Sequence, residues 1–238
     1  MRRVEPEIPS ATTKTGATRR GREKLPPDRG TRIALLSAAS KTVRERGVRA
    51  LTIADVLTRA KLGTRAFYRH FDSKDQLVQA VFLEMARVEM RRLRRKMASA
   101  SNPVEAVAAW IDGRLDLAFD MTVRSGLRIL SLEAQSQMFA APEVVSPAYR
   151  EMLTPLIDQL ELGTQQEIFA DIDPLTDAEL LHGAIWACVE RQWATGNCDR
   201  AKTREAALRF CLGGLGVSAD LIARIIGSAT AGTADVVT

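Results

Sequence analysis

Residues 64–74 read Thr-Arg-Ala-Phe-Tyr-Arg-His-Phe-Asp-Ser-Lys, a stretch dense in groups able to meet a polyanion. The fork of Arg65 matches N7 and O6 of a guanine edge. Thr64 can meet a thymine methyl or a phosphate. Tyr68 and His70 can donate hydrogen bonds to phosphates, which fix register without reading sequence. Arg69 faces outward beside them. Lys74, in the first turn of the following helix, and Thr52, at the start of the preceding one, can grip phosphates together with backbone amides. Two of these residues also have plainer readings: Tyr68 as cover for the edge of a core, and Arg69 as a solvated charge. Phe67 and Phe71 read as core.

The chemistry implied is recognition of double-stranded DNA. A catalytic reading finds little support. The two histidines, His70 and His182, sit far apart on different expected helices, and no set of nucleophile, base and orienting group is visible. Gly213-Gly214-Leu215-Gly216 follows a helix pattern, whereas a phosphate-cradling loop follows a strand. No catalytic residue, metal ligand or cofactor is assigned, and the chain is not expected to be an enzyme.

The elements that must position these side chains are helices. Leu35, Leu36, Ala39 and Val43 form an apolar stripe at helical spacing, in a helix expected to begin near Thr31 and end at Gly47 in a left-handed cap. Thr52 and Asp55 form a capping box that opens a second helix, with Ile53, Val56, Leu57 and Ala60 inward. Gly63 precedes a short third helix over 64–70. Ser73 and Gln76 make another capping box, opening a long fourth helix with Leu77, Val81, Phe82, Met85 and Val88 inside and the basic run 91–96 at its end. Helix, tight turn and helix is the geometry that places a recognition helix in the major groove.

Beyond it, Asn102-Pro103-Val104-Glu105 is a strong helix start. Further helices are expected over 123–138, 147–169, 177–195 (capped by Thr176 and Glu179) and 200–214, with a short amphipathic stretch over 221–226. No segment alternates with period two, so no sheet is expected. The helix over 177–195 carries two apolar stripes. Leu181, Ile185, Cys188 and Gln192 lie on one; His182, Trp186, Val189 and Trp193 lie on the other. Burial on two sides implies one face on the protein's own domain and one on a partner.

Charge divides the chain. Residues 1–74 hold 18 Lys and Arg against 7 Asp and Glu, whereas the whole chain has a net charge of +5. The body is therefore acidic, which suits a DNA-binding end on a different body and argues against a protein that coats DNA. Residues 1–30, with four prolines and eight basic residues, read as a disordered arm that either tracks DNA or is inert. Three scattered cysteines, no long apolar run and no signal-peptide core point to the cytoplasm, with no membrane partner.

Residues 31–82, about a fifth of the chain, closely resemble the DNA-binding domain of the tetracycline-repressor (TetR) family of bacterial regulators. The matching stretches are L-L-S-A-A-x-x-x-V-x-E-R-G, L-T-I-A-D-V, F-Y-R-H-F and S-K-D-Q-L. The resemblance implies an all-α protein with a three-helix DNA-binding domain over 31–82, a helical effector-binding and dimerisation domain over 83–216, and a short helix with a frayed tail over 217–238. It places Thr52, Thr64, Arg65, Tyr68, His70 and Lys74 where family members commonly touch DNA. Three departures bear on the operator sequence. Lys61 stands where the turn usually has Gly, Gly63 where a Ser or Thr cap is usual, and Arg65 where a Gly is common.

The family's C-terminal domains dimerise through their last two long helices and bind small effectors. That implies a homodimer meeting through Ile185, Cys188, Gln192, Ala207, Phe210, Cys211 and Gly214, on a roughly palindromic operator. It also implies an apolar effector pocket, for which Trp110, Phe119, Met121, Leu130, Met138, Phe139 and Trp186 are candidates, though each can equally be plain core. The expected function is a site-specific repressor released from its operator by an apolar effector. An activator, or an effector-independent DNA-binding protein of the same fold, is the alternative.

Overall fold

Local signals at the chain's turns set the helix boundaries. In a computed structural model that describes residues 28–231, ten α-helices and no strand are present among the described residues. They are α1 (Arg29–Arg46), α2 (Ile53–Ala60), α3 (Thr64–Tyr68), α4 (Lys74–Met97), α5 (Pro103–Phe119), α6 (Met121–Ala140), α7 (Pro142–Gln165), α8 (Pro174–Thr195), α9 (Arg200–Gly214) and α10 (Ala219–Ala231). Most of the arm expected over 1–30, and the end of the expected tail, lie outside the described residues. Arg29 and Gly30 belong to α1, because Asp28 caps that helix by accepting from the amides of Gly30 and Thr31.

The expected caps at Thr52, Ser73 and Asn102 form, each side chain accepting from the amide three residues on. Three expectations differ. Gly47 has φ 77° and ψ 169°, a positive φ outside the left-handed helical region. Helix α8 begins earlier than expected: Asp173, not Thr176, is its cap, accepting from the Thr176 amide with Pro174 in the first turn. Helix α7 runs from Pro142 and stops at Gln165, with Pro147 and Pro155 inside it. Residues 166–169 turn back instead, through a positive φ at Glu167, so that the Phe169 ring packs on Gly163, where any Cβ would overlap it.

Two apolar clusters divide the interior. One joins α1–α3 to the first half of α4 and takes in Leu130, Val144, Val145 and Ala148 from α6 and α7. The other is built on α5, buried almost all round, and reaches Leu93 and Met97 at the far end of α4. The expected boundary at 82/83 therefore falls inside α4, which belongs to both clusters. Val88, expected inside α4, is exposed, and Glu89 is buried in its place.

Candidate nucleic-acid interface and internal cavity

The Thr52–Lys74 segment is shaped by two aromatic anchors and one left-handed residue. Phe67 and Phe71 are buried, with Tyr68 edge-on to Phe67 at 5.2 Å and itself exposed. Lys61, in the turn, has φ 55° and ψ 44°, and its amide bonds the carbonyls of Leu57 and Thr58 to close α2. Thr52, Thr64, Arg65 and Arg69 are exposed and Lys74 is half-buried. His70 is half-buried, with Nε2 inside and lacking a partner, which leaves Nδ1 for an outside acceptor. Two nearby basic groups are already engaged: Arg59 with Glu45 at 2.5 Å and Arg46 with Asp55 at 3.2 Å. Arg65 has no such partner among the ion pairs of the described residues.

Helix α4 starts at this segment and ends in the body. Thirteen residues beyond Ser73 it presents Ala86, and then Glu89, to a cavity enclosed by α4, α5, α6, α7 and α8. About 60 Å³ of that cavity is free. Its wall is mainly apolar, including Met85, Leu127, Met138, Met152 and Trp186. A more open groove, with about 390 Å³ of free space, shares Met138, Tyr149, His182 and Trp186 with it and is also lined by Arg150 and Glu179.

One side of the cavity is polar and buried. Arg114 Nη1 donates to Glu89 at 2.9 Å, and Arg92 holds the same carboxylate with two bonds of 2.8 Å. Burial alone would raise the Glu89 carboxyl; the bonds and charges of Arg92 and Arg114 outweigh it and hold the group below the ordinary carboxylate range. Arg114 Nη2 lies 3.3 Å from His182 Nε2, and Tyr149 Oη lies 3.2 Å from His182 Nδ1. Burial, then the neighbouring Arg114, push the His182 pKa down to about 3, so the ring is neutral. A guanidinium only donates, so Nε2 accepts and Nδ1 carries the hydrogen given to Tyr149. The hydroxyl hydrogen of Tyr149 is then directed elsewhere.

Of the residues expected to line an effector pocket, Met138 and Trp186 lie in the wall of this cavity. Trp110 is fully buried in the body core, and Phe119 packs against that core. Leu130 lies in the other cluster, turned toward α1 and α4. Met121 and Phe139 are exposed, because each sits at an end of α6 beyond its neighbours' reach. Arg114, Tyr149 and His182 were missed. Arg and His in an apolar helical pattern read as surface or core, and only their convergence from three helices reveals the site.

The expected dimer residues also divide. Ile185, Ala207 and Cys211 are buried within the protomer, since both apolar stripes of α8 face α5, α7 and α9. Cys188 and Gln192 are half-buried, Gln192 accepting from the Cys198 amide. Phe210 and Gly214 are exposed, and with Leu180, Gly183 and Ala187 they form an outward face of apolar and small residues.

Residues 35–81 match the model of the bacterial regulatory proteins, tetR family. The transcriptional repressor KstR2 of Mycobacterium tuberculosis is 22% identical over 185 residues, covering 76% of this chain and 90% of that protein. The structure of RolR in complex with resorcinol superposes with a TM-score of 0.57 at 22% identity, over 83% of this chain and 93% of that one. The structure of the transcriptional regulator FadR from Bacillus subtilis, in complex with stearoyl-CoA, superposes with a TM-score of 0.60 at 18% identity, over 76% of this chain and 98% of that one. None of the helices among the described residues is long and apolar enough to cross a membrane.

Proposed function

We propose, from the premise that the chain is a transcription regulator of the tetR family, that it is a dimeric repressor released from a roughly palindromic operator by a small, largely apolar effector. The observation that carries this reading is α4, a single helix whose first turn holds Lys74 and whose later turns wall the cavity with Met85, Ala86 and Glu89. A ligand that enlarges the cavity must displace α4 or its neighbours, and a rigid helix carries that displacement to the DNA-binding segment. The effector must favour the DNA-incompetent state, typically by ~1–3 kcal/mol of coupling. In this reading Arg65 reads a base, Thr52, Thr64, Tyr68, His70 and Lys74 position the backbone, and Arg69 adds charge. RolR and FadR hold resorcinol and stearoyl-CoA on the same fold, which supports a ligand-binding body here.

The second copy is expected on the outward face of Leu180, Gly183, Ala187, Phe210 and Gly214, where small residues allow close helix approach. The small free volume of the cavity, about 60 Å³, is the one observation favouring an effector-independent regulator instead.

The deciding experiment measures binding of the purified protein to DNA flanking its own gene, against scrambled DNA, at roughly physiological salt. A preference of about 10³-fold or more supports a site-specific regulator. Equal, weak and steeply salt-dependent binding to both would count against it.

A further inference from the structure

We propose that the cavity takes an apolar compound ending in a carboxylate, with the carboxylate received by Arg114 and Tyr149 on either side of His182. This rests on the effector-responsive reading above and names the effector's chemical class.

The first ground is charge. Four cations, Arg92, Lys96, Arg114 and Arg200, meet two carboxylates, Glu89 and Asp116. Arg92 holds Glu89 in a fork and also reaches Asp116 at 3.4 Å, and Asp116 is met by Lys96 and Arg200 as well. The side chains of Lys96 and Arg200 are 34% and 55% exposed, so water balances them. That of Arg114 is 5% exposed. The cluster holds two more cations than carboxylates; of the four cations Arg114 is the one in the cavity wall, beside Glu89, which it shares with Arg92. A buried charge without full pairing is costly, and a monoanion beside it lowers that cost. Arg150 and Glu179, of opposite sign, line the adjoining groove and leave no net charge there to repel an entering anion.

The second ground is unused hydrogen-bonding capacity. Arg114 has five N–H donors, yet it shows one bond to Glu89 and one to His182, and its buried Nε has no acceptor at all. Tyr149 accepts from His182 Nδ1, so its own hydroxyl hydrogen is free to donate. Arg114 and Tyr149 both line the cavity. Arg114 Nε and the Tyr149 hydroxyl are therefore donors left for an acceptor group on a ligand.

The third ground is the apolar part of the wall, whose other polar members, besides Arg114, Tyr149 and His182, are Glu89, Ser131 and Gln135. Met85, Met138 and Met152, with Leu127 and Trp186, offer only apolar surface to the rest of a ligand. Free space of about 60 Å³ does not admit such a molecule without movement, and unbranched methionine side chains are the ones that repack most readily.

The test uses the full chain and a matched panel: octanoate and 4-phenylbutyrate, each beside its own methyl ester and primary amide. Thermal melting and calorimetric titration are read in the absence of DNA. The acids should raise the melting temperature and bind about tenfold or more tightly than their esters and amides. Arg114→Met should erase that preference, and Tyr149→Phe should weaken acid binding by about two- to tenfold. If Arg114→Met does not fold, Tyr149→Phe decides. Esters binding as tightly as acids, acid affinity unchanged by Tyr149→Phe, or no acid shifting the melting temperature would each overturn the proposal. Operator binding of the ligand-free protein is measured in parallel. Its loss counts against the regulator reading, whereas its persistence beside a failed panel counts against the carboxylate alone.

Discussion

The carboxylate of Glu133 accepts the backbone N–H of Val48 at 2.9 Å, joining the middle of α6 to the turn between α1 and α2. Gly47, beside it, is held so close that an added Cβ would stand 3.0 Å from Glu133 Oε1. Other positions of α6, Ser131, Gln135 and Met138, line the cavity. One helix therefore bears both a cavity wall and a clasp on the DNA-binding segment. Val48 is buried, so Glu133→Ala leaves its amide without a partner and should cost about 1–3 kcal/mol of stability. Glu133→Gln keeps an acceptor and should recover most of that. Urea unfolding of the two variants checks this, and an alanine variant as stable as the parent would show that the clasp contributes nothing.

Lys61 holds a left-handed conformation, φ 55° and ψ 44°, that costs a side-chain-bearing residue about 1–2 kcal/mol. Lys61→Gly removes that strain and adds roughly 0.5–1 kcal/mol of unfolded-state entropy in opposition. The strain is the larger of the two, so the variant should be more stable by up to about 1 kcal/mol. Chemical denaturation decides the sign, and a destabilised variant would mean that the lysine makes contacts worth more than its strain.

The DNA-binding segment was the most legible part of the chain. Its signals are local: a hydroxyl three residues before an amide, a turn residue, and aromatic anchors one helical turn apart. Thr52, Ser73, Phe67 and Phe71 all take the places such rules give them. The cavity was only partly legible because its wall is assembled from five helices. Trp186 and Met138 were expected from size and apolarity. Phe139 and Met121 have the same character, yet they project from the ends of α6. Periodicity states that a face is buried and leaves open what buries it. Both stripes of α8 turn to the protomer's own helices, so a face expected to meet a partner proved internal at Ile185.

Arg65 and Tyr68 are both exposed on α3, but they differ in what they can recognise. A guanidinium reading a guanine edge discriminates between bases, whereas a phenol bonding phosphate does not. Arg65→Ala should cost about 1–3 kcal/mol at one base pair of the operator and relax preference there. Tyr68→Phe should weaken binding to all sequences alike. Competition binding with single-base operator variants distinguishes the two. Uniform weakening by Arg65→Ala would assign that side chain to the backbone and leave base reading to other residues.

His182 makes stability depend on pH in a definite direction. Its folded-state pKa is pushed down to about 3, first by burial and then by Arg114, while the unfolded chain has the ordinary value of 6.5. Below that value the unfolded chain takes up a proton that the folded protein refuses. Stability is therefore full above pH 6.5 and falls as the pH drops toward 3, with a slope approaching ~1.4 kcal/mol per pH unit. Between about pH 6.5 and pH 5 the loss should reach ~2 kcal/mol. Glu89 adds to it only at lower pH, since its carboxyl is held below an ordinary value of 4.5. Urea unfolding at about pH 7.5 and about pH 5 measures the loss, and His182→Asn, which keeps an acceptor for Arg114, should remove most of it. A parent protein equally stable at both values would mean that His182 is protonated in the fold. Its Nε2 would then be a donor facing the donors of Arg114, while Nδ1 would still donate to Tyr149.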